Sequence, residues 1–212
     1  MKQLAHDVPD VFFDVDRGLF YTMRKFLTQP GTQIKKYFAG HRLQHYKPLK
    51  YVLFIGGLNA FIYAKVPITN GVPQSGLEAF GTQWNTLLLL LQFPLIALAT
   101  WAIFRKRKYT YGEHFIANAF LIGEVSLFNI ALFPLRYCLN NTPSVIIGDL
   151  LYLSFIIGYY SFAFFDWFYD RKGLKHFVSC FGFVFGLTIL VLIITFIIQV
   201  ILYYAFIQLG WT

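Results

Sequence analysis

Residues 177–209 read FVSCFGFVFGLTILVLIITFIIQVILYYAFIQL, without one charged side chain. As an α-helix rising 1.5 Å per residue, such a run is about 50 Å long, against the roughly 30 Å of a bilayer's hydrocarbon core. It reads as a membrane-spanning helix that tilts, bends near Gly182 and Gly186, or begins as an interfacial helix; length alone does not choose among these. Working back along the chain, four more apolar segments cover about 48–66, 84–104, 114–136 and 144–165. Each meets or nearly meets the requirement of about 20 apolar residues per span. The first is the weakest, because Gly56, Gly57 and Asn59 interrupt it. The fold class expected is all-α: a polytopic membrane protein with about five transmembrane helices, four and six being the neighbouring counts.

Composition points the same way. Hydrophobic residues make up 57% of the 212 and charged ones only 13%, whereas a soluble domain averages about 45–50% and about 25%. The formal net charge of +8 would suggest nucleic acid on a soluble fold, but here it follows the bias of cytoplasmic loops toward Lys and Arg. Of 18 such residues, 16 fall before the core of the first span (Lys50 included), at Arg105–Lys108, or at Arg171, Lys172 and Lys175; only Lys65 and Arg136 fall on the other side. The rule then places the N-terminus in the cytoplasm and the C-terminus outside. Trp84, Trp101, Trp167 and Trp211 lie near span ends, where amphipathic rings favour the headgroup region.

Residues 1–47 are expected to form a cytoplasmic and interfacial segment ahead of a membrane domain at 48–212. Leu19, Phe20, Met23, Phe26 and Leu27 recur at helical spacing among Arg17, Arg24 and Lys25. Pro30-Gly31 then interrupts the pattern, and Thr32 is placed to cap a second short helix. Two basic amphipathic helices are expected to lie on an anionic leaflet, to pack against the bundle, or to do both. In the first case Arg24, Lys25, Lys35, Lys36 and Arg42 contact lipid headgroups. The connection 67–83, rich in Gly, Pro and Asn, reads as an irregular external loop. Cys138 and Cys180 fall near opposite surfaces, too far apart for a disulfide, and no signal peptide precedes Pro48.

Asp16, Gly18, Thr22, Leu27, Pro30-Gly31, Tyr37, Gly40-x-Arg42 and Tyr46-x-Pro48 form a spaced pattern. It resembles the N-terminal signature of a bacterial membrane-protein family, domain of unknown function 3667. Glu113-His114 after Tyr111 resembles the same family's Tyr-x-Glu-His opening of a later span. The resemblance implies a layout of about five spans with a cytoplasmic N-terminus, in the bacterial inner membrane, and no established activity. Members often begin with a CxxC zinc ribbon; no cysteine precedes Cys138, so zinc is not carried over, and no cofactor or metal is expected.

Ionisable groups inside a membrane cost about 2.5–3.5 kcal/mol each on insertion scales, which makes them the default functional candidates. Glu124 lies mid-span, and Asn59, Gln92 and Asn129 fall at similar depth, so these four form a candidate intramembrane polar site. Interhelical hydrogen bonding, averaging about 0.6 kcal/mol per contact, is the plainer role for them. Glu113, His114 and Asp16 form a candidate site at the cytoplasmic rim. Asp149 is placed to pair with Arg136. His41 and His45 have the i, i+4 spacing of a zinc pair but no third ligand, and are expected to face solvent or headgroups. Gly182-x-x-x-Gly186 admits close approach of another helix. No nucleophile–base arrangement or phosphate-binding glycine loop is present. The function expected is that of a non-enzymatic accessory or scaffolding subunit acting through a membrane-protein partner or as a homo-oligomer. A small ion, proton or solute transporter using Glu124 and a lipid-acting enzyme at the rim are the alternatives.

Overall fold

The computed structural model describes residues 18–66, 76–140, 142–169 and 173–208, apart from the side chains of 78, 79 and 81–91. The regular structure among the described residues is helical, with no strand. A helix over 18–28 (α1) is followed by α2 (Pro30–Phe38), α3 (Pro48–Lys65), α4 (Gly76–Phe104), α5 (Tyr111–Cys138), α6 (Ile146–Phe168) and α7 (Leu174–Gln208). Among the described residues, three stretches are long and apolar enough to cross a bilayer: Tyr111–Cys138, Pro143–Phe168 and Leu174–Gln208. This is a membrane protein. α3 and α4, the other two segments read as spans, are not among those three.

α5 is the centre of the bundle. Its start is fixed by a capping box: Thr110 Oγ1 accepts the Glu113 N–H, while Glu113 Oε2 accepts from the Thr110 N–H at 2.7 Å. Such a box satisfies two of the N–H groups that every helix start leaves without a partner. α5 then buries Ala117, Phe120, Leu121 and Val125 against α3, α4 and α6. Contacts between α3 and α5 climb together along both chains, Tyr51 meeting Glu124, Asn59 meeting Asn129 and Tyr63 meeting Arg136. The two helices therefore run parallel.

α7 is the opposite case, with only 11% of its most apolar window buried. Phe181, Phe185, Ile193, Phe196, Ile197 and Ile201 are exposed along it. A Cβ on Gly182 or Gly186 would meet nothing within 4 Å, so the small-residue pair does not seat another helix of this chain among the described residues.

Two expected boundaries move. α4 begins at Gly76, not Trp84, so the second half of the expected loop is helix. Its first turns rest on α7: Gln199 Nε2 donates to Leu77 O at 2.7 Å, and Phe80 packs on Tyr203 and Phe206. Tertiary packing overrides the loop propensity of GLEAFGTQ here. At the N-terminus, α1 ends at residue 28, just ahead of Pro30-Gly31, and Pro30 opens the next helix from its first turn, where its missing N–H costs nothing. Thr32 is not the cap, and Gln29 stands in that position without a side-chain cap bond.

Candidate functional site

Glu124 is fully buried, and its Oε1 accepts a 2.5 Å hydrogen bond from the Tyr51 hydroxyl. Gly123 makes this possible. A Cβ there would lie 2.3 Å from Tyr51 Cε1, so the absent side chain is the slot through which the α3 ring reaches the carboxyl. Asn59 does not join Glu124. Its Oδ1 accepts from Asn129 Nδ2 at 3.1 Å, more than a turn further along α5. There Asn129 Oδ1 also accepts from Tyr63 at 3.1 Å and from Arg136 Nη1 at 2.8 Å, and Arg136 Nη2 pairs with Asp149 on α6. The expected Arg136–Asp149 pair is present as the end of this ladder.

Gln92 is also buried, but no hydrogen bond joins it to Glu124 among the described residues. Its neighbour Phe93 packs on Phe115 at 4.3 Å, a level of α5 about 13 Å from Glu124 at 1.5 Å per residue. The four-residue cluster expected from depth thus separates into a Tyr51–Glu124 pair, an Asn59–Asn129 ladder and an independent Gln92. Gln92 does not share the level of Glu124, and the direction each side chain takes around its helix was not available from depth.

The expected rim site separates too. Glu113 is half-buried and occupied as the α5 capping carboxylate. His114, one position on, is completely buried against Trp167 and Phe168 of α6, with ring centroids 4.9 and 5.8 Å away. Thr100 of α4 gives its one proton to Ala97 O, so it accepts from Asn118 Nδ2 at 3.0 Å and from His114 Nδ1 at 3.3 Å. That assignment places the His114 proton on Nδ1. His114 Nε2, Asn118 Oδ1 and Trp167 Nε1 then stand as the buried polar atoms of this layer without a hydrogen-bond partner among the described residues. Asp16 lies outside the described residues, as does Asp14.

The N-terminal helices are built into the bundle. Phe26 of α1 stacks on Phe120 of α5 at 4.2 Å, and the Tyr159 hydroxyl of α6 donates to Phe26 O at 3.0 Å. Gly31 sits directly on α6: a Cβ would fall 2.2 Å from Trp167 N, 2.5 Å from Asp166 C and 2.7 Å from Ala163 O. This contact lets Asp166 accept from both the Thr32 N–H (2.6 Å) and the Thr32 hydroxyl (2.9 Å). A carboxylate at a helix N-terminus also faces the positive end of the helix dipole; here it is supplied by a different helix. Thr22 Oγ1 donates to Gly18 O and accepts the Tyr46 N–H, each at 2.8 Å, tying α1 to the strand of chain entering α3. α2 ends with His41 N–H on Lys36 O and Gly40 N–H on Tyr37 O, Gly40 holding φ +106°. That backbone is a Schellman turn, and glycine adopts it without a Cβ penalty.

His45 closes the platform. It is buried, not headgroup-facing, and its Nε2 lies 3.2 Å from Gln33 Oε1 and its Nδ1 3.0 Å from His41 O. The rings of Tyr21, Phe26, Tyr37 and Phe120 surround it. Burial lowers its pKa below the ordinary histidine value, as do the charges of Lys36 and His41, while the His41 carbonyl bond opposes the shift. His41 remains exposed, so the two histidines do not form a pair. Of the five cations expected at lipid, Arg24, Lys36 and Arg42 are exposed, while Lys25 and Lys35 are half-buried.

Residues 16–58 match DUF3667, a protein family of unknown function. The DUF3667 stretch is this platform together with the first half of α3, and several of the spaced residues read from the sequence help to hold it together. Thr22 joins α1 to Tyr46, Gly31 seats α2 on α6, Gly40 turns the chain, and Pro48 opens α3. Arg42 lies with its guanidinium 5.7 Å from the Tyr37 ring. No curated protein and no solved structure matches the chain. Tyr51, Gly123, Tyr63, Thr100 and Asp166 were not singled out from the sequence. A Tyr near the start of an apolar run and an Asp near the end of one are the only signals it holds for the first and last.

Proposed function

We propose that this membrane protein acts through partners, as an accessory or scaffolding subunit, and not by transport or catalysis at its own buried polar groups. The closure of Glu124 on Tyr51 carries the reading. A coupling carboxylate has to exchange protons or ions with water, yet this one is 1% exposed and its oxygen is taken up by a phenol of the neighbouring helix. The Asn59–Asn129–Tyr63–Arg136–Asp149 ladder is likewise spent on joining α3, α5 and α6. Two surface cavities, one beside Tyr21 and Arg24 and one beside Arg107 and Tyr169, do not include Glu124. At the rim, Glu113 is a cap and His114 is covered, which supports no open catalytic pair.

In this reading the protein sits in the bacterial inner membrane with its basic end in the cytoplasm and its C-terminus in the periplasm. The platform and the apolar length of α7 are the surfaces through which a membrane partner, or a second copy, is held. Purification of the tagged chain from native membranes in mild detergent, followed by mass determination, tests this. A stoichiometric complex heavier than the single 24.6 kDa chain is the expected result. A lone protomer in every mild detergent, or loss of a solute-uptake phenotype in Glu124→Gln cells with the complex intact, overturns it.

A further inference from the structure

We infer that the cleft formed by the end of α4, the end of α6 and the first turns of α7 binds the phosphate headgroup of an anionic phospholipid. The cleft has a volume of about 220 Å³ and two unlike ends. Among the described residues its polar lining consists of Lys106, Arg107, Tyr169 and Ser179, contributed by three separate stretches of chain and including no acidic residue. Its apolar lining includes Phe104 and Phe183, whose rings lie 5.3 Å apart.

The cations are placed, not merely present. Arg105–Arg107 form a single 3-10 turn that Lys108 closes in the left-handed conformation, φ 62°. That turn lays the Arg107 guanidinium over the Tyr169 ring, 4.7 Å from its centroid. Stacking of this kind fixes the plane of the group and leaves its N–H edge free, the geometry that takes a phosphate through two parallel hydrogen bonds. Lys106 adds a second positive charge, and the Ser179 and Tyr169 hydroxyls add donors.

The other end identifies the source of the phosphate. An inorganic ion would leave the Phe104–Phe183 wall against water, whereas a lipid covers it. The volume is below the roughly 300–1,000 Å³ of sites that enclose a whole drug-sized molecule, so the headgroup enters and the acyl chains stay outside. They have a path along α7, where Phe181 and Phe185 are exposed on a helix apolar enough to cross a bilayer. This site is separate from the N-terminal platform and does not depend on the accessory-subunit reading.

Native mass spectrometry of the full chain in mild detergent, titrated with phosphatidylglycerol, phosphatidylcholine or inorganic phosphate, tests the inference. Phosphatidylglycerol should bind at least about tenfold more tightly than phosphatidylcholine. The Lys106→Gln/Arg107→Gln double variant should lose about tenfold in that affinity. The charge-matched control Lys47→Gln/Lys50→Gln, exposed at the start of α3, should stay within about twofold. All four side chains are exposed, so both variants are expected to fold, and thermal unfolding of each checks it. Equal binding of the two lipids, equal loss in the two double variants, or displacement of the lipid by millimolar phosphate alone would each overturn the assignment.

Discussion

Gly31→Ala is a one-carbon change whose effect the structure fixes in sign and size. The new methyl would stand 2.2, 2.5 and 2.7 Å from three atoms of α6, all of them backbone. A flexible side chain could swing away; a helix backbone cannot, so α2 must back off as a unit. Overpacking of this kind costs about 1–3 kcal/mol. Backing off also lengthens the two hydrogen bonds from Thr32 to Asp166, 2.6 and 2.9 Å in the native packing, and bonds to charged groups contribute about 1.5–3 kcal/mol each. Losing one of them brings the total to at least about 2.5 kcal/mol. At about 2–4 °C per kcal/mol for a chain of this size, the unfolding temperature falls by at least about 5 °C. The matched control is Gly158→Ala on α6, where a Cβ meets nothing within 4 Å. There the same substitution is neutral or stabilising by up to about 1 kcal/mol, since glycine is the poorer helix former. Thermal unfolding in detergent, followed by size exclusion, reads both. If the two variants unfold at the same temperature, the docking of α2 on α6 is not what Gly31 is for.

Tyr51→Phe leaves the buried Glu124 carboxyl without its donor and should cost about 1–3 kcal/mol, while Glu124→Gln keeps an acceptor for the phenol and should cost less; the reverse order in unfolding temperature would mean that the carboxylate itself is needed. Asp149 is 52% exposed, against 14% for Arg136, so Asp149→Asn should change stability by less than about 1 kcal/mol. Arg136→Leu should cost more than Asp149→Asn in the same assay, because it also strips the bonds to Tyr63 and Asn129. Burial lowers the pKa of His45. Its contribution is therefore full above its unfolded pKa of about 6.5 and is lost as pH falls below that value. Unfolding temperatures between about pH 7.5 and about pH 5.5 should drop in the native chain and drop less in His45→Gln; equal slopes would remove His45 from the platform's pH response.

How much of this was legible beforehand depends on the range of the interaction concerned. Chain-local physics decided the helical class and the membrane setting. An uncharged run such as 177–209 has to place its peptide groups in a helix and its side chains in lipid, whatever its neighbours do. The capping box at Thr110 and Glu113 is likewise written in four consecutive residues. The sequence also put Glu124, Asn59 and Asn129 at similar depth and paired Arg136 with Asp149. Where each side chain points around its helix was decided only by packing. Tyr51 reaches Glu124 because position 123 has no side chain, and no property of residue 51 announces that. The same holds for the N-terminal segment. Its basic amphipathic helices were compatible with lying on lipid, packing on protein or both, and the packing on protein is set by Asp166, more than 130 residues away, together with the space that Gly31 leaves for the α6 backbone. A helix's own residues set its existence and its apolar face; only the partner helix, brought near by the rest of the fold, sets what that face meets.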